Sequence, residues 1–314
     1  MSDAAGLTIG VGVVSYNTRA ALGSCLESLV RQAGVHVAMV ADNGSSDGSL
    51  AMVERDFPNV LTISLPANPG YGAAANELVR VTATDVMVLL NADVRLPDGA
   101  IAALGEHLER RPDVGVVGPR LVGDDGRLQR SCFAEPTVTE LMWAESGLHR
   151  FRPSLRPEPI HAFGHDRVRS VPWVLGAVMA IRRTAFEEVG GFDDGFFLYY
   201  EEVDLCRRFR AAGWDVQFTP DVEVVHTGGA SIGQRRELGQ RTMYRSLHRY
   251  HTKHTSASTA ALRSAVAGIM TARLVRDLAG SRWARSERAR RDAASSAVVW
   301  RGVLADVQRG WRPP

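Results

Sequence analysis

The chain has 314 residues, 45% hydrophobic and 23% charged, with three cysteines and a formal net charge of +2. This composition supports one large or two small globular domains with a sizeable core and argues against a disordered chain. The net charge conceals an asymmetry: from residue 231 onward 17 Arg and Lys stand against 5 Asp and Glu, a balance of +12 that leaves −10 for residues 1–230.

In chain order, short apolar runs alternate with helical patterns. Strands are predicted at "LTIGVGVVSY" (7–16), "HVAMVADN" (36–43), "VLTISL" (60–65), "DVMVLLN" (85–91) and "VGVVGP" (114–119). Helices are predicted over 18–33, 47–56, 71–82 and 98–110. Such alternation argues for a mostly parallel α/β sheet, and near-continuous apolar strands say that both sheet faces are covered. "GDDGR" reads as a hairpin turn between "RLV" and "LQRS". Residues 133–168, with Pro136, Pro153, Pro157 and Pro159, read as mostly irregular, with a short helix near 137–147. An extended run at 171–181 precedes a helix at 183–189. A further helix over 201–212 closes at Gly213, "DVQFTP" and "VEVVH" read as two short strands, and the pattern is helical from about 236.

Cys25, Cys132 and Cys206 are odd in number and widely spaced, which gives no disulfide framework and points to a reducing compartment. The N-terminal stretch has no basic segment followed by an apolar one, so no secretory leader is read there. The longest apolar runs, 170–181 and 264–272, fall short of the roughly 20 residues a membrane span needs. A cytoplasmic protein is expected, soluble or peripheral at the inner face of the plasma membrane. The basic tail, with Trp283, Trp300 and Trp311 among arginines, leaves two readings. One is an interfacial surface on anionic lipid; the other is helices packed on the main domain or in a homodimer. No nucleic-acid motif accompanies the charge, so no nucleic-acid partner is expected.

Ligands of open α/β sheets bind beyond the carboxyl ends of the strands. Four successive strands end in polar or glycine-rich tips: Ser15, Tyr16 and Asn17; "ADNGSSDGS" with Asp42 and Asn43; "NPGYGAAAN" from Asn68 through Gly70 and Tyr71; and "LLNADV" with Asn91, Ala92 and Asp93. One carboxylate together with substrate phosphates can hold Mg²⁺ or Mn²⁺, so Asp93 is a candidate ligand, although Asn and Asp also favour plain turns. Asp47 is expected to cap the helix that follows it. Neither a Walker loop nor a GxGxxG fingerprint is present. Further on, Glu201, Glu202 and Asp204 crowd a helix start, where the dipole favours ionised carboxylates, and Asp204 to Arg208 is a favourable i,i+4 pair. Phe196, Phe197, Tyr199 and Tyr200 could wall a sugar or lipid pocket or belong to the core. His226 sits at a strand end before "TGGAS", a place that suits either a structural histidine or a metal ligand.

"VVSYN", "ADNGSSDGS", "NPGYGAAAN", "LLNADV", "GAVMAIRR" and "GGFDDGFFLYYEEVDLCRR", in this order, resemble the family-2 glycosyltransferases of GT-A fold, in the bacterial rhamnosyltransferase-like branch. The resemblance covers about residues 8–230 and explains the basic tail least. It implies a catalytic domain over 1–235, divided into a nucleotide-sugar-binding half (1–118) and an acceptor and base half (119–235), followed by a helical extension over 236–314. Ser15, Tyr16, Asn17 and Asp42 would line the nucleobase and ribose pocket, with Asn68, Gly70 and Tyr71 near the nucleotide and sugar. Asn91, Ala92 and Asp93 occupy the DxD position, so Asp93 would hold a divalent metal, Mg²⁺ or Mn²⁺, against the diphosphate, joined by His226. Asn91 departs from the usual first carboxylate. Glu202 stands where the family's usual base is Asp, one methylene longer, with Glu201 or Asp204 as alternatives.

The implied reaction is a single inverting displacement. It would carry a sugar, L-rhamnose from dTDP-rhamnose or another sugar from a UDP donor, to a hydroxyl of a lipid-linked or cell-surface saccharide. A small-metabolite acceptor stays open. The rivals are a sugar nucleotidyltransferase, whose glycine-rich basic N-terminal loop "VVSYNTRAAL" does not resemble, and a non-catalytic nucleotide-sugar-binding module.

Overall fold

The computed structural model describes residues 6–137, 163–228, 236–255, 259–284 and 286–311. Two compact units emerge. One comprises the described residues up to Glu135 with 163–197 and 201–228; the other comprises 136–137, 198–200 and the described residues from 236.

In the first unit, β1 (Ile9–Ser15), β2 (Val35–Asp42), β3 (Leu61–Ser64) and β4 (Val86–Asn91) pair in parallel in the order β3-β2-β1-β4. Alternating side chains on β1 meet opposite layers, as the period of a strand requires. Val11 and Val13 join a core with Leu22 and Leu26 of α1 (Arg19–Leu29), Met52 and Val53 of α2 (Ser49–Asp56), and Ile101 and Leu104 of α4 (Ala100–Arg110). Gly12 faces the other way, under Leu78 of α3 (Tyr71–Val81), where an added Cβ would come within 2.8 Å of Leu78 Cδ1. All four strand tips therefore lie at one edge of the sheet.

The other strands complete the sheet and correct two expectations. The run expected as one extended stretch at 171–181 is broken. β9 (Arg169–Ser170) pairs with β12 (Asp215–His226), and β10 (Trp173–Val174) forms a separate two-stranded sheet with β8 (Cys132–Phe133). Trp173 stacks on Phe133 at 4.2 Å between centroids and donates Nε1–H to Ala134 O, which draws this segment out of line. β11 (Val178–Arg182) then enters the middle of the main sheet, antiparallel to both β4 and β6 (Val114–Val122). The two strands read as "DVQFTP" and "VEVVH" are the single strand β12, with an irregular register between Thr219 and Glu223. Pro220 falls there, with no N–H to give to the ladder. The predicted hairpin is present, with β7 (Leu128–Gln129) antiparallel to the end of β6. β5 (Val94–Arg95) pairs with the end of β12. Two helices, α5 (Arg183–Glu188) and α6 (Glu201–Ala211), lie at the predicted places, and Gly213 takes φ 93° after α6. The helix expected near 137–147 falls outside the described residues beyond Thr137.

The second unit contains α7 (Arg236–His254), α8 (Thr259–Trp283) and α9 (Glu287–Gln308). Its own core gathers Tyr244, Leu262, Val266, Met270, Val299, Trp300, Val303, Val307 and Trp311. Buried Asp306 is held by Arg241 at 2.9 Å and Arg309 at 2.8 Å, so part of the tail's positive charge neutralises an internal carboxylate. Of the three tail tryptophans two are core residues, and only Trp283, 78% exposed, faces solvent. Among the described residues no helix is long and apolar enough to cross a membrane.

Candidate active site

The first two strand tips are tied together by their own polar groups. Asn17, in the left-handed region at φ 51°, donates its N–H to Ser45 Oγ at 2.8 Å, and its Oδ1 accepts from Ser46 N–H at 2.8 Å. Ser15 is buried and its hydroxyl pairs with that of Thr18 at 3.0 Å, so it shapes the turn. Tyr16 beside it is half-buried. Asp47 accepts from the N–H groups of both Arg19 and Ser49, thereby serving two helix starts, while Gly48 is the cap residue of α2. Burial pushes its carboxyl up, but the Ser49 and Arg19 hydrogen bonds outweigh burial and hold it below the usual range. Asp42 is 2% exposed. Its Oδ2 accepts from Ser45 N–H at 2.9 Å, while Oδ1 is buried with no hydrogen-bond partner among the described residues. Asn43 next to it donates Nδ2–H to Gly70 O at 3.2 Å and likewise leaves Oδ1 open. Buried acceptors without partners are rare and call for a donor.

The third tip turns on glycine. Asn68 takes φ 44° and Gly70 φ 101°. A Cβ on Gly70 would fall 2.3 Å from Phe197 O, the same oxygen that accepts from Tyr71 N–H at 3.0 Å. This pins the start of α3 to the chain just before α6. Phe196 is fully buried and Phe197 is 40% exposed, so the aromatic run divides between core and surface. Tyr199 and Tyr200, which lead directly into Glu201, both have φ 66°. Strained backbone of this kind concentrates at functional sites.

One short loop gathers the remaining parts. Ala177 O accepts from Asn91 N–H at 2.9 Å, and Gly176 O accepts from the Tyr71 hydroxyl at 3.1 Å. The open side of Gly176 faces the Glu202 side chain, whose Cβ, Cγ and carboxyl carbon lie 3.6–3.8 Å from where a Cβ would stand. The "NAD" tip, Tyr71 and the acids of α6 thus meet around residues 176–177, which carry no chemical signal in the sequence.

Glu201 and Glu202 are both buried. Burial first, and then the adjacent Glu202 charge, push the Glu201 carboxyl well above the usual carboxylate range. The direction runs against the one the helix dipole favours: desolvation beside a like charge raises a carboxyl that a terminal dipole would lower. Burial, reinforced by both glutamates, likewise raises the Tyr71 phenol, which stays a neutral donor. Asp204 is fully buried and bonded to Arg208 at 2.8 Å, the predicted i,i+4 pair, which leaves it a structural role.

The raised Glu201 carboxyl has a consequence for stability. Its raised folded value stabilises the protein below the unfolded value of about 4.3. That contribution is lost as pH rises toward the elevated folded value. Glu201→Gln removes the titration. Melting temperatures followed from pH 4.5 to 8 are expected to fall less steeply for the variant than for the wild type. Turnover should stay within a few-fold, because the base role is assigned to Glu202 and the amide keeps the volume of the side chain. Parallel melting curves would contradict this.

At the fourth tip Ala92 is buried and Asn91 half-buried. Asp93 Oδ1 lies 3.3 Å from His226 Nε2, with both side chains under 10% exposed. The backbone fixes the pair: Thr227 N–H bonds to Asp93 O at 3.1 Å, and His226 is registered against Val94. His226 Nδ1 is 2.8 Å from Gln129 Oε1. Among the described residues no group of three or more His, Cys, Asp or Glu side chains is gathered for a metal. The donor set nonetheless suits a divalent ion that takes one carboxylate and one imidazole from the protein and its other ligands from phosphate and water. Gln129, absent from the sequence-derived site, belongs to it by contact with His226, and Asn43, read from the sequence as a strand-tip residue, is tied to Gly70.

Residues 6–245 match the family described as "Glycosyltransferase like family 2". An N-acetylglucosaminyl-diphospho-decaprenol L-rhamnosyltransferase of Mycobacterium tuberculosis is 32% identical over 213 residues, which cover 62% of this chain and 68% of the relative. The rhamnosyltransferase WbbL of Escherichia coli K12 is 32% identical over 85 residues, 27% of this chain and 29% of WbbL. Among solved structures, the mannosyltransferase PcManGT from Pyrobaculum calidifontis, in complex with GDP-Man and Mn²⁺, superposes with a TM-score of 0.56. Identity is 18%, covering 97% of this chain and 85% of that one. GalNAc-T7 with UDP, GalNAc and Mn²⁺ superposes with a TM-score of 0.53 at 16% identity, covering 71% and 44%. These two likenesses speak for the fold, a GT-A arrangement.

Proposed function

Because this chain belongs to the glycosyltransferase-like family 2, we propose that it transfers L-rhamnose from dTDP-L-rhamnose to a hydroxyl of a polyprenyl-diphosphate-linked saccharide with inversion. The acceptor class is that named for the mycobacterial relative. The observation that carries the reading is the meeting of Asn91, Tyr71 and Glu202 around Gly176 and Ala177, which sets a buried carboxylate beside the "NAD" tip.

The acceptor hydroxyl gives its proton to the Glu202 carboxylate as its oxygen bonds the anomeric carbon. The bond from that carbon to the diphosphate breaks, and the nucleoside diphosphate leaves with the electron pair. Burial and the adjacent Glu202 charge raise the Glu201 carboxyl, so the base role falls to Glu202. Asp42 Oδ1 accepts from the N3–H that thymine and uracil share, filling the open acceptor. A divalent cation held by Asp93 and His226 would supply neutralisation of the departing diphosphate.

The test is transfer of labelled rhamnose from dTDP-rhamnose to synthetic N-acetylglucosaminyl-diphospho-polyprenol with Mn²⁺ or Mg²⁺. The expected outcome is a labelled lipid product, with slower donor hydrolysis when acceptor is withheld. Transfer from a different nucleotide sugar would correct the donor. Neither transfer nor hydrolysis with any donor would leave a non-catalytic binding module.

A further inference from the structure

We propose that Gln129 is a positioning residue for His226: its side-chain amide fixes the imidazole tautomer that turns Nε2 toward Asp93 as a donor for a divalent cation. This rests on the metal reading of the Asp93 and His226 pair.

The sheet register puts the two side chains on one face. Gln129 on β7 is opposite Leu121 on β6, and Leu121 is opposite Val224 on β12. Directly paired residues point to the same side of a sheet, as do residues two apart on one strand. Gln129, Leu121, Val224 and His226 therefore share a face, with β6 between the glutamine and the histidine. The side chains close that gap at 2.8 Å from Oε1 to Nδ1. Gly228, at φ 74°, packs beside the pair: a Cβ there would stand 3.5 Å from Gln129 Nε2 and 3.8 Å from His226 Cε1.

An amide oxygen only accepts, so the imidazole Nδ1 must carry the hydrogen it donates. In the neutral ring the Nε2 lone pair is then free, and it lies 3.3 Å from Asp93 Oδ1. Two electron-pair donors at that separation are placed to share a cation. Histidine ligands ordinarily give their second ring N–H to an acceptor of this kind, and removing that partner typically costs about 10- to 100-fold in metal affinity or activity. The β7 strand that carries it is two residues long, and Leu128 beside it is exposed. The other orientation of the amide, with Nε2–H donating to Nδ1, would put the ring hydrogen on the side facing Asp93 and make the contact purely structural.

Two substitutions separate these cases. Gln129→Leu removes the acceptor at similar size; Gln129→Glu keeps an acceptor and can only accept. Mn²⁺ is titrated into protein saturated with dTDP, and in parallel with UDP, with free Mn²⁺ read by electron paramagnetic resonance. The dTDP affinity without metal and the melting temperature are measured alongside. We expect Gln129→Leu to lose roughly 10- to 100-fold in Mn²⁺ affinity. Gln129→Glu should stay within a few-fold of wild type, and metal-free dTDP affinity should be unchanged in both. Wild-type Mn²⁺ affinity in Gln129→Leu, or a Gln129→Glu variant as impaired as Gln129→Leu, would overturn the inference alone. A wild type that binds no Mn²⁺ in the presence of nucleotide would overturn the metal reading and this inference with it.

Discussion

Glu202→Gln is expected to lower turnover by about 10²- to 10⁴-fold, the range a positioned general base contributes, while binding of the nucleotide-sugar donor survives. The amide keeps the volume of the side chain beside Gly176 but cannot take the acceptor proton. Glu202 is 9% exposed on the first turn of α6, and its neighbours on that turn are already committed. Burial and the Glu202 charge raise the Glu201 carboxyl well above the usual carboxylate range, and Asp204 is bonded to Arg208. The three acids, of which the resemblance placed Glu202 at the base position with Glu201 and Asp204 as alternatives, thus stand in different surroundings. Steady-state kinetics alongside donor calorimetry reads the effect. Near-normal turnover in Glu202→Gln, with Glu201→Gln impaired instead, would move the role one residue back.

Asp93→Ala is expected to abolish the part of donor affinity that depends on Mn²⁺. Losing an inner ligand should cost at least the roughly 10- to 100-fold that losing an outer partner does. Turnover should fall as well, since removing one group that stabilises developing charge typically costs about 10²- to 10³-fold. The effect should be confined to the metal, because Asp93 lies at a strand tip while the apolar core of β4 lies behind it. Calorimetry of dTDP with and without Mn²⁺ should give two different affinities for the wild type and a single, weaker one for the variant. A variant that retains the Mn²⁺ enhancement would remove Asp93 from the metal role.

Much of this was legible from residue pattern. "VMVLL" buries completely, so the polar residues after it had to mark a strand end, and parallel strands with tips at one edge imply a single ligand edge. What stayed hidden depends on pairing between distant segments. Nothing in "AVMAI" says that β11 runs antiparallel between β4 and β6. Gly176 and Ala177 acquire their place only because Trp173 is drawn aside onto Phe133 while Val178 is registered against Leu90. Gln129 lay in an unremarkable hairpin arm, and its meeting with His226 follows from two registers at once. The upward shift of the Glu201 carboxyl was also out of reach. Local helix electrostatics favours the anion; burial, which a sequence pattern does not quantify, reverses the balance.

The central claim is that a buried glutamate and the "NAD" tip act on opposite sides of one anomeric carbon. The stereochemistry of the transferred sugar, read by nuclear magnetic resonance on the isolated product, tests this most directly. A glycosidic linkage of the anomeric configuration opposite to that of the nucleotide-sugar donor is expected. A product that retains the donor's configuration would contradict it.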